Sequence, residues 1–394
     1  MASSRGFHSI SNAQKQISYL FVFLMIMSML PWPVYFFLGG TKQLILQFVI
    51  SMLAYAMSPG SFKMRGRSRS ISFFFLLAAI MGTYGTFNAY LGTFIRCVPF
   101  LFFIAASDQI KTITLSAFNK VLYWILSISL VMWVLNLIGV PFPHRTLTTE
   151  NSIYYFDNYF FFVKNIGIFS IFPRFQSVFL EPGYLGCISV FMIFLNKYNF
   201  RKWYNIVYLG TVILSFSLAA WLLFFIGYIP YISQRGRGKW AYLLLLLVIV
   251  GAYYYFSHTS EVVQAMINER LVFENGEMVG YNRSGDAIKD VWRYNFWNTD
   301  KWMFGLRERY DNLYDFGASV DLVAYIIRYG LFAAIAYIVF MLTCLSGNRS
   351  FRGVWFFIIS FAFVFRGYTI MFWDAFLMIY LAGLQLLLIE NKDT

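Results

Sequence analysis

Apolar runs close to membrane-spanning length recur along this whole chain, and lysine and arginine gather in the short loops between them. A helix needs about 20 apolar residues to cross the hydrocarbon core of a bilayer. Inside lipid every backbone N–H and C=O must find a partner within the protein, so only helices and closed barrels cross. A barrel would show short strands of alternating polarity, whereas the runs here are continuous. Only 12% of the 394 residues are charged and 59% are hydrophobic, against roughly 25% charged in soluble domains. The pattern predicts an all-α, polytopic membrane helix bundle forming a single integral membrane domain, 1–394, with about 12 transmembrane segments.

The net charge of +13 would suit a nucleic-acid partner if it covered a polar face. It lies instead in clusters: Lys63, Arg65, Arg67 and Arg69; Lys197, Arg201 and Lys202; Arg235, Arg237 and Lys239; Arg349 and Arg352. This is the positive-inside bias, so the expected partner is the lipid bilayer and not nucleic acid. Cys97, Cys187 and Cys344 fall in apolar segments at a spacing that fits no metal motif. His8, His144 and His258 stand apart from one another and from cysteine, so no metal site is expected. Neither a phosphate-binding P-loop nor a dinucleotide fingerprint appears, and no cofactor is expected. The first apolar run is too long for a cleavable signal and reads as the first span.

The basic loops order the chain. Residues 1–16 are expected in the cytoplasm, followed by span 1 (about 17–38), span 2 (about 43–58) and the basic loop 59–70. Spans 3 and 4 (about 71–90 and 93–107) form a hairpin, and Lys111 and Lys120 mark an inside loop before span 5 (about 121–140). Residues 141–175 form a first outer segment with Pro141, Pro143, His144, Glu150 and the aromatic run IYYFDNYFFF. Span 6 (about 178–196) returns to the basic side. Residues 204–232 have basic flanks at both ends yet are too few for two full crossings. Two short helices, about 204–216 and 218–232, breaking near Ser215-Phe216-Ser217, meet both conditions, and broken helices are tolerated where they line a cavity; the alternative is one long tilted helix, which would strand one basic loop outside. Span 9 (about 240–256) leads to a large outer loop, 257–318, with seven Lys+Arg and ten Asp+Glu. Two amphipathic helices are expected in it, one from Thr259 or Ser260 to about Leu271 and one capped by Ser284 and running to about Asn298. Spans 10 (about 319–345), 11 (about 353–366) and 12 (about 369–389) finish the bundle with both termini in the cytoplasm.

The sharpest candidate site is RFQSVFLEPGYLG, residues 174–186. Charges at membrane depth cost roughly 2.5–3.5 kcal/mol on insertion scales, so they usually serve a site. Arg174 and Glu181 are seven residues apart and would share a face if the segment were helical. Pro182 instead favours Glu181 at a helix start with Pro182 at the first helical position. A structural Arg–Glu pair is the plainer alternative. Arg283 precedes the helix capped by Ser284, an arrangement suited to phosphate, and Arg293 follows on the same helix. Asp321, Arg328, Arg366 and Asp374 lie in or at the edges of spans 10 to 12, with Arg366 and Asp374 flanking a short turn that suits a salt bridge. Arg96 in span 4 either faces the outer half or snorkels to the interface.

Four features together resemble the bacterial O-antigen and exopolysaccharide polymerases (Wzy-type) and their relatives the O-antigen ligases. They are RFQSVFLEPGYLG; the paired segment around SFSLAAW; Arg283 before an amphipathic helix and then KWMFGLRE; and the span entered by SVDLVAYIIRYGL. The likeness covers roughly residues 120–345. Leu218 stands where the family often has the arginine of Ser-Arg, Ser319-Val320 stands where the ligases have His-Asn, and Arg174 to Gly186 has eleven intervening residues where the family shows ten.

The resemblance implies a GT-C-like fold in the bacterial inner membrane and a metal-independent glycosyltransferase. Its substrate would be an undecaprenyl-pyrophosphate-linked oligosaccharide, and a chain-length regulator and a flippase would be partners. The growing glycan would pass from its lipid pyrophosphate to a hydroxyl of the next lipid-linked repeat unit. On this view Glu181, Arg174 and Arg283 are catalytic, and Arg293, Arg366, Asp321, Asp374 and Arg96 bind substrate. Glu181 is either the base or, if the linkage is retained, the nucleophile. An O-antigen ligase, or a transporter or flippase of lipid-linked sugars, are the alternatives.

Overall fold

The structure, a computed structural model, describes residues 11–64, 66–83, 85–148, 155–165, 173–233, 251, 255, 259, 273–274, 277–278, 292, 296–298, 300–306, 322–348, 350–364 and 374–392. The chain is mostly helical. It forms two compact units: unit 1 is Met1–Leu122, Tyr329–Val354 and Ile370–Thr394, and unit 2 is Tyr123–Arg328 and Trp355–Thr369.

Unit 1 opens with α1 (Asn12–Ser28), started by a capping box in which Ser11 and Gln14 bond each other's backbone N–H. The expected first span over 17–38 does not run through. Proline lacks an N–H and clashes with the turn before it, and Pro31 and Pro33 follow Leu30, whose φ is 51°. Helix resumes as a π turn, Val34–Leu38, that continues into α2 (Gly39–Met57). α3 (Arg67–Met81) and α4 (Phe87–Ala105) form the expected hairpin, with the turn several residues earlier than the sequence reading placed it.

The inside loop expected around Lys111 and Lys120 is instead helix. α5 runs unbroken from Asp108 to Leu137, because its sequence holds no proline or glycine and lysine is a good helix former. Ser107 Oγ accepts the N–H of Ile110 at its start, and Gly139 at φ 94° closes its end.

The expected span 10 is likewise two helices, α9 (Leu322–Tyr329) and α10 (Leu331–Leu345), parted at Gly330, whose φ of 88° only glycine adopts readily. α11 (Phe351–Val364) and α12 (Asp374–Lys392) follow. Within unit 1, α10 packs on α3 and α12 on α1 and α4. Phe21, Phe75, Phe100, Phe103 and Phe340 are fully buried, and Phe75 meets Phe100 edge-on at 4.8 Å. The N–H of Ala375, in the first turn of α12, is received by Ser28 Oγ at the end of α1.

Three stretches are long and apolar enough to cross a membrane: Val34–Met57, Phe87–Ala105 and Asp108–Leu137. Most of their residues are not buried in the protein, as lipid-facing helices require. α6 (Pro182–Leu195), α7 (Trp203–Leu214), α10 and most of α8 (Leu218–Ser233) and α11 are apolar but shorter. These helices mark the chain as membrane-associated.

Unit 2 is built around α6, all fourteen residues of which are buried. It packs against α7 and α8, and its Phe191 and Tyr184 meet Phe363. The segment expected on the outer side contains a small antiparallel sheet that the sequence reading did not anticipate: β1 (Arg145–Thr148), β2 (Tyr155–Asn158) and β3 (Val163–Asn165), in that order. Arg145 pairs with Asn158 and Phe156 with Asn165. A second hairpin pairs Phe273–Glu274 with Glu277–Met278 inside the large loop. The expected loop helices lie outside the described residues except at Thr259, Trp292 and 296–298. Span 9 does so except at Gly251 and Tyr255.

Candidate functional site

The two short helices expected over 204–232 are present, and they break at 215–217 as expected. α7 ends at Leu214 and α8 begins at Leu218. Between them Phe216 takes φ 46°, a left-handed conformation that a bulky residue adopts only when its surroundings hold it there. Ser217 Oγ accepts the N–H of Ala220 and so starts α8. The Trp221 indole N–H reaches back to the Val212 carbonyl at 2.9 Å and ties the second helix to the first.

Helix C-terminal carbonyls lack intrahelical partners. Here the segment 174–175 supplies them. Arg174 Nε donates to the Ser215 carbonyl at 2.7 Å, and the Phe175 N–H donates to the Leu214 carbonyl at 2.8 Å. A cation at a helix C-terminus also meets the negative end of its dipole, worth about 0.3–1 kcal/mol when exposed and up to ~2 kcal/mol when partly buried. Arg174 therefore belongs to the break.

The segment between Arg174 and Glu181 is not helical. Ser177 at φ 55° turns it, so the seven-residue spacing does not place the two charges on one helix face. Glu181 is the N-cap of α6, with Pro182 as its first residue and Oε1 accepting the Gly183 N–H at 3.2 Å. This is the helix start that Pro182 predicts. Both Arg174 and Glu181 are half-buried.

Three further residues shape the site. A Cβ on Gly186 would meet Ser215 Oγ at 2.7 Å and Ala220 Cβ at 2.9 Å, so α6 lies against the break at a distance only glycine permits. Ser177 Oγ bonds Ser129 Oγ of α5 at 2.7 Å, and Trp133 of α5 meets Phe175 edge-on at 5.6 Å. Ser129 precedes the end of α5 by two turns, about 12 Å at 1.5 Å per residue. The 174–181 segment is thus seated along a helix long enough to cross a membrane. Gly186 lay inside the quoted motif, but its role became visible only once α6 and α7 were packed; Ser129 carried no sequence signal.

The other candidates divide. Arg96 is half-buried on α4, and Asp374 is buried in the first turn of α12; both belong to unit 1. Arg283, Arg293, Asp321 and Arg366 lie outside the described residues, as does the proposed turn between Arg366 and Asp374. Among the described residues no group of three histidine, cysteine or carboxylate side chains could hold a metal ion. Comparison with protein-family models, curated proteins and solved structures found no match.

Proposed function

We propose that this chain is a polysaccharide polymerase of the bacterial inner membrane, crossing it about 12 times with both termini in the cytoplasm. It transfers a growing glycan from undecaprenyl pyrophosphate to a hydroxyl of the next lipid-linked repeat unit at the outer face. The observation that carries this reading is the seating of 174–181 against the α7–α8 break. It holds a partly exposed guanidinium and a partly exposed carboxylate on one structural unit beside discontinuous helices.

The chemistry follows from those groups. The acceptor hydroxyl attacks the anomeric carbon, the bond from that carbon to the pyrophosphate oxygen breaks, and lipid pyrophosphate leaves with the electron pair. Arg174 and Arg283 neutralise the charge that develops on it; arginine suits this because it stays protonated and meets phosphate with paired N–H donors. Glu181 either takes the hydroxyl proton as the hydroxyl attacks, or first displaces the lipid pyrophosphate to form a glycosyl ester; the acceptor hydroxyl then attacks the same carbon, the ester bond breaks, and the released carboxylate takes the proton. Arg293, Arg366 and Asp321 contact the substrate, and no metal takes part.

Purified protein in vesicles with lipid-linked repeat units should lengthen the glycan in the presence of EDTA. Loss of polymer in EDTA with recovery in magnesium would refute metal independence. A transporter of the same cargo would leave chain length unchanged. Glu181→Gln keeps a cap acceptor and should fold but make no polymer; long chains from Glu181→Gln, Arg174→Ala and Arg283→Ala alike would remove this site. A cysteine placed at Leu218, exposed at the start of α8, should label from the outer side, and labelling only from the cytoplasm would overturn the orientation.

A further inference from the structure

The turn between β2 and β3 presents two phenyl rings outward. Phe160 is 66% and Phe161 41% exposed, while Phe162 and Val163 beside them are buried. Tyr159, half-buried, stacks on buried Phe162 at 4.5 Å, so the aromatic run is sorted, with 162 packed inward and 160 and 161 turned out. Phe160 holds φ 68°, a conformation where asparagine or glycine is usual and a bulky residue is rare.

The tip also bonds much of its own backbone. The Tyr159 N–H donates to the Phe162 carbonyl at 2.9 Å and the Phe161 N–H to the Tyr159 carbonyl at 2.8 Å. The Phe160 N–H donates to Asn158 Oδ1 at 2.8 Å, and the Phe161 carbonyl accepts from Ser129 Oγ at 2.6 Å. Internal satisfaction of backbone polar groups is what hydrocarbon demands and water does not. The bond to Ser129 also sets the depth of the tip, two turns inside α5. Ile128, next to Ser129, lies in a stripe with Trp124 and Val131, at i, i+4 and i+7, that faces outward. The tip is thus tied to α5 next to its exposed apolar stripe.

We infer that the β2–β3 tip is a membrane anchor that buries Phe160 and Phe161 among bilayer acyl chains. It seats the outer segment, and through the Val163 N–H to Ser177 carbonyl bond it also steadies the segment that follows Arg174. This inference stands whether or not the chain is a polymerase.

The test uses the full chain in phosphatidylcholine vesicles, carrying Phe160→Cys or, separately, Phe161→Cys labelled with the fluorophore NBD. The native cysteines are buried, and unsubstituted protein serves as the labelling blank. The label should resist aqueous iodide and be quenched about two-fold by lipid doxylated near the headgroup, the depth of shallow insertion. A label on Arg145→Cys, exposed on β1, should behave oppositely. Iodide quenching at 160 and 161 equal to that at 145 would overturn the anchor, as would iodide protection without doxyl quenching, which would signal contact with a second protein copy. If neither variant folds, hydroxyl-radical oxidation of the unmodified protein in nanodiscs decides the question. Phe160 and Phe161 should be spared relative to exposed His144; equal oxidation overturns the inference.

Discussion

Among the described residues two arginines close the C-terminal end of a helix, and they do so in opposite settings. In unit 1, Arg67 donates to the carbonyls of Thr343 and Cys344 in the last turn of α10. Gly347 lies against its guanidinium so closely that a Cβ there would collide with it. Buried Asn348, just beyond the helix, donates to the Leu384 carbonyl at 2.7 Å, so α10 ends in a loop pinned from both sides. In unit 2, Arg174 closes α7 at a point where helix resumes within a turn, with the N-cap carboxylate Glu181 seven residues on. Capping alone would need no second helix and no carboxylate. The contrast separates an arginine that ends a helix outright from one seated at a break between two helices.

The largest expected effect tests that separation directly. Arg174→Ala should lower polymer formation by about 100-fold or more, the loss seen when one transition-state donor is removed. Arg67→Ala should leave turnover per folded molecule unchanged and reduce stability by about 1.5–3 kcal/mol, the net worth of hydrogen bonds to a charged group. Glycan ladders on gels and thermal melts in detergent read the two quantities. If Arg67→Ala abolishes polymer while Arg174→Ala only lowers the melting temperature, the comparison is inverted.

A second test asks how closely α6 must approach the break. Gly186→Ala puts a methyl 2.7 Å from Ser215 Oγ and should cost about 1–3 kcal/mol by overpacking. Gly210→Ala, whose methyl would meet only Leu130 Cδ2 at 3.6 Å, should be neutral or slightly stabilising, since alanine favours helix. Equal melting temperatures for the two variants would mean that the break yields and does not hold Arg174 in one place.

The break was legible because charge and length conflicted: basic flanks demanded an even number of crossings in a stretch too short for two full helices. Glu181 was legible because proline at the following position is tolerated at a helix start and little elsewhere in a helix. The path between them was not. Seven residues is also two helical turns, and only the backbone at Ser177 shows that the chain turns instead. α5 was misread for a related reason. Lysines mark loops in membrane proteins statistically, but nothing in 108–120 breaks a helix, and local propensity carried it through. The β1–β3 sheet was hidden because its strands are three or four residues long and its aromatic residues run consecutively, so no period-two pattern stands out.

The smallest expected effect sharpens the comparison on the side of the break. Trp221→Phe keeps the ring and removes only the N–H that reaches Val212, so stability should fall by about 0.5–1.5 kcal/mol. The Val212 carbonyl also receives Ser215 Oγ at 2.9 Å, which limits the penalty. If the break serves to hold Arg174, this modest loosening should still reduce polymer yield per folded molecule, because the indole bond is one of the few that span the two helices directly. Asn348→Ala, removing the analogous pin beside Arg67, should cost comparable or greater stability and leave turnover per folded molecule intact. Turnover that falls in proportion to stability in both variants would show that the two arginines differ in setting but not in task.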